Sequence, residues 1–308
     1  MPACAAGILV SMLRAVLSSL AALAIPFAAA PASPPSGAPP LPGWTLVRTG
    51  SDGGTVWTGR IPSTIVHDGR TSAVYLPPGF DRTRRYPVLY LLSGLPGSPS
   101  SFYDGLRLAD VADSTIAETG RPFIAVAPVG GPVRNAGNAE WAGIWERYVV
   151  QDVVPWVDAN LPTLPDRGAR ALAGLCAGGF GAMDIGLRNP MLFGTLESWE
   201  GYFAPEFKDG PFANASPAVL AANDPTLSVR RQALLVRSLG TRFYVSVGGN
   251  HGVVLRRWSL DFDALLGRLQ LPHELWTLPP ADSGHFWRAT IPSGLAYAAA
   301  GFPSPAAP

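Results

Sequence analysis

The chain has 308 residues, 47% hydrophobic and 15% charged, which suits one large domain or two small ones with a sizeable core. Its formal net charge is +1 and no Lys/Arg block stands out, which argues against nucleic acid or an anionic membrane surface as a partner. The only two cysteines, Cys4 and Cys176, exclude a disulfide framework and a cysteine-rich metal site, so no metal or other cofactor is expected.

The N-terminus reads as an export signal. Met12-Leu13-Arg14 supplies a start and a positive charge, residues 15–27 form an apolar run, and small residues at 28–32 offer cleavage sites, with cleavage expected after Ala32. Arg14 keeps the unbroken apolar run below the ~18–20 residues of a membrane span. The expected organisation is a signal peptide at 1–32, a Pro/Ser/Gly-rich linker and lead-in at 33–54, one domain at 55–301 and a disordered tail at 302–308. The expected location is secreted or associated with the cell envelope. Removing the signal leaves Cys176 as the sole thiol, a liability in an oxidising compartment unless it is buried or used.

From residue 55 the pattern turns to β. Strands are predicted over 55–61, 63–66 and 71–76, with Asp68-Gly69 as a hairpin turn. Residues 86–92 form a near-continuous apolar run, expected of a strand buried on both faces. A loop at 93–98 and a helix over 106–119 follow. A strand at 123–127, a Gly/Asn-rich loop at 128–143 and a helix over 144–160 come next. The strand at 169–173 enters a glycine-rich turn, and a helix runs from it to 188. A strand at 193–199, an irregular insertion at 201–224 and a helix at 227–239 come after. The last elements are strands at 243–247 and 274–278, a helix at 254–269, a loop at 279–284 and a closing helix at 286–300. Strands alternating with helices predict an α/β fold, a mostly parallel sheet covered on both faces.

Chemistry in such a sheet gathers beyond the carboxyl ends of its strands. The sequence Gly174-Leu175-Cys176-Ala177-Gly178 has the G-x-nucleophile-x-G form of a strand–elbow–helix, with Cys at the apex where Ser is usual. The helix N-terminus behind it is expected to lower the thiol pKa. His285, in the last loop, is the expected base; His67 and His273 fit that role less well. The backbone N–H groups of Ala177 and Leu95 are the expected oxyanion donors, since Pro96 has none. The order nucleophile, acid, histidine is that of α/β-hydrolases.

Four stretches carry a resemblance: Leu76-Pro77-Pro78-Gly79-Phe80, residues 86–95, residues 174–182, and Ser283-Gly284-His285-Phe286-Trp287. Together they resemble the esterase D family, which includes S-formylglutathione hydrolases and exported mycolyltransferases. The resemblance spans about residues 55–300 and implies an α/β-hydrolase fold and acyl transfer through a covalent acyl-enzyme. A small-molecule or lipid acyl ester is the implied substrate, and cell-envelope association follows the exported members. The chain departs from the family in three places. Cys176 replaces the elbow Ser. Ser93-Gly94 stands where His-Gly or Asp-Gly is common. Gly248-Gly249-Asn250-His251-Gly252 lacks the family's carboxylate. Asp261 and Asp263, ten residues on, read as a solvated helix face. Three groups stay open for the third place: Glu200 as an acid reaching the histidine from the neighbouring strand, Asn250 as a neutral orienter, and His251 as a second base. Two functions follow: an exported esterase or acyltransferase, or a degenerate relative that binds without catalysing. Oligomeric state, acyl group and acceptor have no signature here.

Overall fold

In the computed structural model a nine-stranded sheet runs in the order β1-β2-β3-β5-β4-β6-β7-β8-β9. Its strands are β1 (Thr45–Thr49), β2 (Thr55–Gly59), β3 (Ser72–Leu76), β4 (Val88–Leu92), β5 (Ile124–Ala127), β6 (Arg170–Leu175), β7 (Thr195–Trp199), β8 (Arg242–Gly249) and β9 (His273–Ala281). The helices are α1 (Leu108–Thr119), α2 (Ile144–Arg147), α3 (Val154–Asn160), α4 (Ala177–Arg188), α5 (Pro217–Ala222), α6 (Pro225–Ser238), α7 (Val253–Arg268) and α8 (Ser283–Gly301). The structure describes residues 40–66, 70–130, 140–205, 210–249, 253–281 and 283–304. Residues 39–308 form one compact unit. The first three strands and the β3–β5 pair are antiparallel. From β5 across to β9 every pair is parallel. This is the α/β-hydrolase arrangement that the sequence pattern predicts.

The apolar runs of the central strands follow from burial on two faces. In β4, Val88, Tyr90 and Leu92 face a core built with α2, α3, α4, α6 and α7. Leu89 and Leu91 face the opposite core, built with α1 and α8. Successive side chains of a strand point to opposite faces, so neither parity can be polar here.

Several boundaries differ from expectation, each for a local reason. The sheet starts before residue 55, because β1 pairs with β2. Residues 63–66 are not a strand: Ser63 Oγ accepts the N–H groups of Ile65 (3.0 Å) and Val66 (2.8 Å), bonds that compete with a ladder. The insertion contains α5, which Ser216 caps through Val219 N–H and Pro217 opens. β9 extends through Pro279 and Pro280, which an edge strand tolerates. Residue 302 is not tail: Phe302 is buried against Phe123, and its carbonyl accepts from Arg121 (2.6 Å). The Asp68-Gly69 turn, the signal segment and residues 305–308 lie outside the described residues.

Candidate active site

β6 is buried along its whole length between β4 and β7. It ends at Cys176, whose φ of 50° and ψ of −112° turn the chain into α4 at the next residue. A positive φ strains a residue with a Cβ. Here the turn is held from both sides. Cys176 N–H donates to Trp199 O (2.9 Å), and Cys176 O accepts from Phe180 N–H (3.1 Å). The two flanking glycines are close-approach positions. A Cβ on Gly174 would sit 2.2 Å from the Gly178 carbonyl carbon, and one on Gly178 would sit 1.9 Å from Leu92 O. The spacing G-x-C-x-G is thus a packing requirement of the elbow against β4.

Cys176 and Leu95 line one cavity of about 540 Å³, together with Leu106, Leu255, Trp287 and Arg288. That volume is in the range of small-molecule sites. Gly94 backs onto the elbow, since a Cβ there would lie 3.4 Å from Cys176 Cβ. Ala177, Phe180, Tyr202 and Phe212 form an apolar cluster against which Cys176 and Leu95 pack. Phe180 and Tyr202 stack at 4.9 Å. A second cleft, about 430 Å³, is lined by Phe203, Asp224, Arg230, Trp258 and Asp261 and holds none of the predicted reacting groups.

Burial pushes the Cys176 thiol above its ordinary pKa. The Ala177 N–H, hydrogen-bonded to the thiol, works the other way; the Glu200 and Glu140 carboxylates add to the rise. The net direction is opposite to that expected from the helix N-terminus alone. Desolvation is the largest cause and exceeds the opposing Ala177 hydrogen bond. The resting group is a neutral thiol, so its attack on a carbonyl requires a base.

Glu200 follows β7, directly beyond the Leu175–Trp199 register pair, so it stands beside Cys176 at the end of the next strand. It is 2% exposed, has a φ of 55°, and its N–H donates to Ser246 O (2.9 Å). His285 is exposed in the first turn of α8, not in a loop before it, because the helix opens at Ser283. Two and three residues on, the same helix delivers Trp287 and Arg288 to the cavity wall. Asn250 and His251 lie outside the described residues. Sequence reasoning missed Glu140, which is fully buried and accepts from Tyr202 OH (2.7 Å). It sits at the end of an irregular loop, where no periodicity marks a residue as inward. Beside it, Trp141 donates from its indole to Ser93 O (2.8 Å), tying that loop to the loop of Leu95. Among the described residues no group of three or more His, Cys, Asp or Glu could hold a metal ion.

A family model described as "Esterase: Putative esterase" matches residues 63–265. The chain belongs to this esterase family. Esterase Rv1288 of Mycobacterium tuberculosis is 29% identical over 188 residues, covering 58% of this chain and 40% of the relative. An endo-1,4-beta-xylanase/feruloyl esterase of Xylanibacter ruminicola is 32% identical over 155 residues, covering 46% of this chain and 21% of the relative. The chain thus spans less than half the length of these curated relatives. Among solved structures, a ferulic acid esterase superposes with a TM-score of 0.71 at 21% identity, covering 81% of this esterase-family chain and 99% of that one. An S-formylglutathione hydrolase from Agrobacterium tumefaciens gives 0.63 at 19%, covering 84% and 99%.

Proposed function

We propose that this esterase-family chain is an exported carboxylic ester hydrolase or acyltransferase that works through a covalent acyl-thioester on Cys176. The observation that carries the reading is the strained Cys176 backbone at the strand–helix junction, facing a cavity of small-molecule size. Family membership and the names of the esterase relatives support the reaction class. The apolar run and small-residue cleavage site at the N-terminus support export.

In the cycle, His285 takes the Cys176 proton as Sγ attacks the ester carbonyl. The N–H groups of Ala177 and Leu95 receive the developing oxyanion. The C–O bond of the ester breaks, and the alkoxide leaves with the proton from His285. Water or an acceptor alcohol then adds to the thioester carbonyl, giving up its proton to His285. The S–C bond breaks, and the thiol is regenerated as the acid or new ester departs. Glu200 is the acid that holds the imidazolium; its burial beside the elbow, at the end of the neighbouring strand, supports it as the third member.

Two departures from the family pattern, Cys176 in place of the elbow Ser and no carboxylate in the sequence 248–252, favour a second reading, a degenerate relative that binds acyl compounds in the cavity without turning them over. One experiment separates the two. Aryl-ester hydrolysis by the chain is compared with that of the Cys176→Ala and His285→Ala variants, and intact mass is read after mixing with an activated ester. Loss of turnover in both variants and an acyl adduct that Cys176→Ala lacks support the enzyme. Equal residual rates in all three, with no adduct, leave the binding protein.

A further inference from the structure

The cavity beside Cys176 is apolar on most sides. Leu95, Leu106, Leu255 and Trp287 form its walls, and Arg288 is the one charged side chain on its lining among the described residues. Arg288 is exposed and, among the described residues, has neither a hydrogen bond nor an ion pair. Several other arginines of the domain are spent on the fold. Arg167 binds three carbonyls and the Thr241 hydroxyl, Arg170 pairs with Asp158, and Arg188 pairs with Glu146. A guanidinium with no partner among the described residues, at the rim of an apolar cavity, offers a planar donor fork that matches a carboxylate.

At the sulfur end the cavity lining offers no cation among the described residues, so a free carboxylate has its charge partner at Arg288. An ester that carries a carboxylate is therefore accommodated in one sense only. Its carbonyl lies at the sulfur, its apolar chain lies along the leucines and Trp287, and its carboxylate lies at Arg288. We propose that Arg288 is a specificity-determining residue, and that the preferred substrates are esters whose apolar chain ends in a carboxylate, such as half-esters of dicarboxylic acids. The proposal rests on the reading of the Cys176 cavity as the ester site.

The test has two arms. In the first, kcat/KM is measured for mono-p-nitrophenyl adipate and for p-nitrophenyl hexanoate with the chain, Arg288→Gln and Arg288→Lys. The adipate/hexanoate selectivity is expected to fall at least about tenfold in Arg288→Gln, to be partly kept in Arg288→Lys, and to weaken with added salt in the parent. An unchanged selectivity in Arg288→Gln overturns the proposal. In the second arm, Cys176→Ala is titrated with monomethyl adipate and dimethyl adipate, with and without Arg288→Gln. Binding of the monomethyl ester should weaken about tenfold relative to the dimethyl ester when the guanidinium is removed. Binding indifferent to Arg288 overturns the proposal whatever the rates. If no ester is hydrolysed but the monomethyl ester still depends on Arg288, the acyl-transfer reading falls and the anion selection stands.

Discussion

Adding one methyl group at Gly178 tests the elbow most directly. A Cβ there would meet Leu92 O at 1.9 Å, the Leu92 carbonyl carbon at 2.5 Å and Ser93 O at 2.9 Å. Ordinary carbon–oxygen contact needs about 3.4 Å, so α4 and the end of β4 must part by roughly 1.5 Å. Neither side yields easily. Leu92 is fully buried in a central strand, and Gly178 lies on a buried helix turn. Overpacking of this kind costs about 1–3 kcal/mol of stability. The functional loss should be larger in proportion, because the two proposed oxyanion donors sit on the two segments that are forced apart. Ala177 is on α4, and Leu95 is three residues beyond Leu92. Displacing one such donor costs ~10²–10³ in kcat. The assay pairs denaturant midpoints with aryl-ester turnover for Gly178→Ala, with Gly168→Ala as control. Gly168 is exposed and an added methyl there would have nothing within 4 Å, so its substitution should stay within about 0.5 kcal/mol. Gly178→Ala with parental stability and turnover would refute the account of the elbow as a close-packed device.

Two further predictions concern ionisation. The rate of Cys176 alkylation by iodoacetamide follows the thiolate fraction, so its pH midpoint should lie above that of an ordinary cysteine, ~8.5, and Glu200→Gln should lower it and speed alkylation at pH 8. A midpoint at or below the ordinary value contradicts the electrostatic picture. Asp184, on α4, is fully buried, neither of its carboxylate oxygens has a hydrogen bond, and burial lifts its pKa to about 8. In the folded chain it stays protonated between its unfolded value of 3.8 and about 8, whereas the unfolded chain loses that proton. Stability therefore falls as pH rises through this window, by up to several kcal/mol, and levels off above it. Asp184→Asn should flatten that slope in urea melts at pH 5 and pH 8; an identical slope in the variant would show that Asp184 does not carry it.

The parts of the fold that could be read in advance are those fixed by local pattern. β4, β5 and β6 are visible as apolar runs because both faces are buried, and the elbow is visible because two close-packed glycines must bracket Cys176. What escaped was set by contacts between distant segments. Ser63 turns a plausible strand into a side-chain-capped turn, and β1 is a strand because β2 offers it an edge. The polarity of the site escaped for the same reason. A helix N-terminus is written in the sequence. The burial that chiefly raises the thiol, and the two carboxylates that add to it, one from a neighbouring strand end and one from beside Trp141, are brought to Cys176 only by the fold.

Those two carboxylates differ in what holds them. Glu200 is fixed beside Cys176 by the ladder between β6 and β7, so the two residues keep their spacing as long as the sheet keeps its register. Glu140 is held outside the sheet, next to Trp141, which is tied to Ser93 O. Loop exchange between relatives would therefore behave like changing the tuning of an instrument whose frame stays rigid: the spacing of Cys176 and Glu200 is inherited with the sheet, while the contribution of Glu140 to the thiol and the shape of the cavity travel with the segments around it.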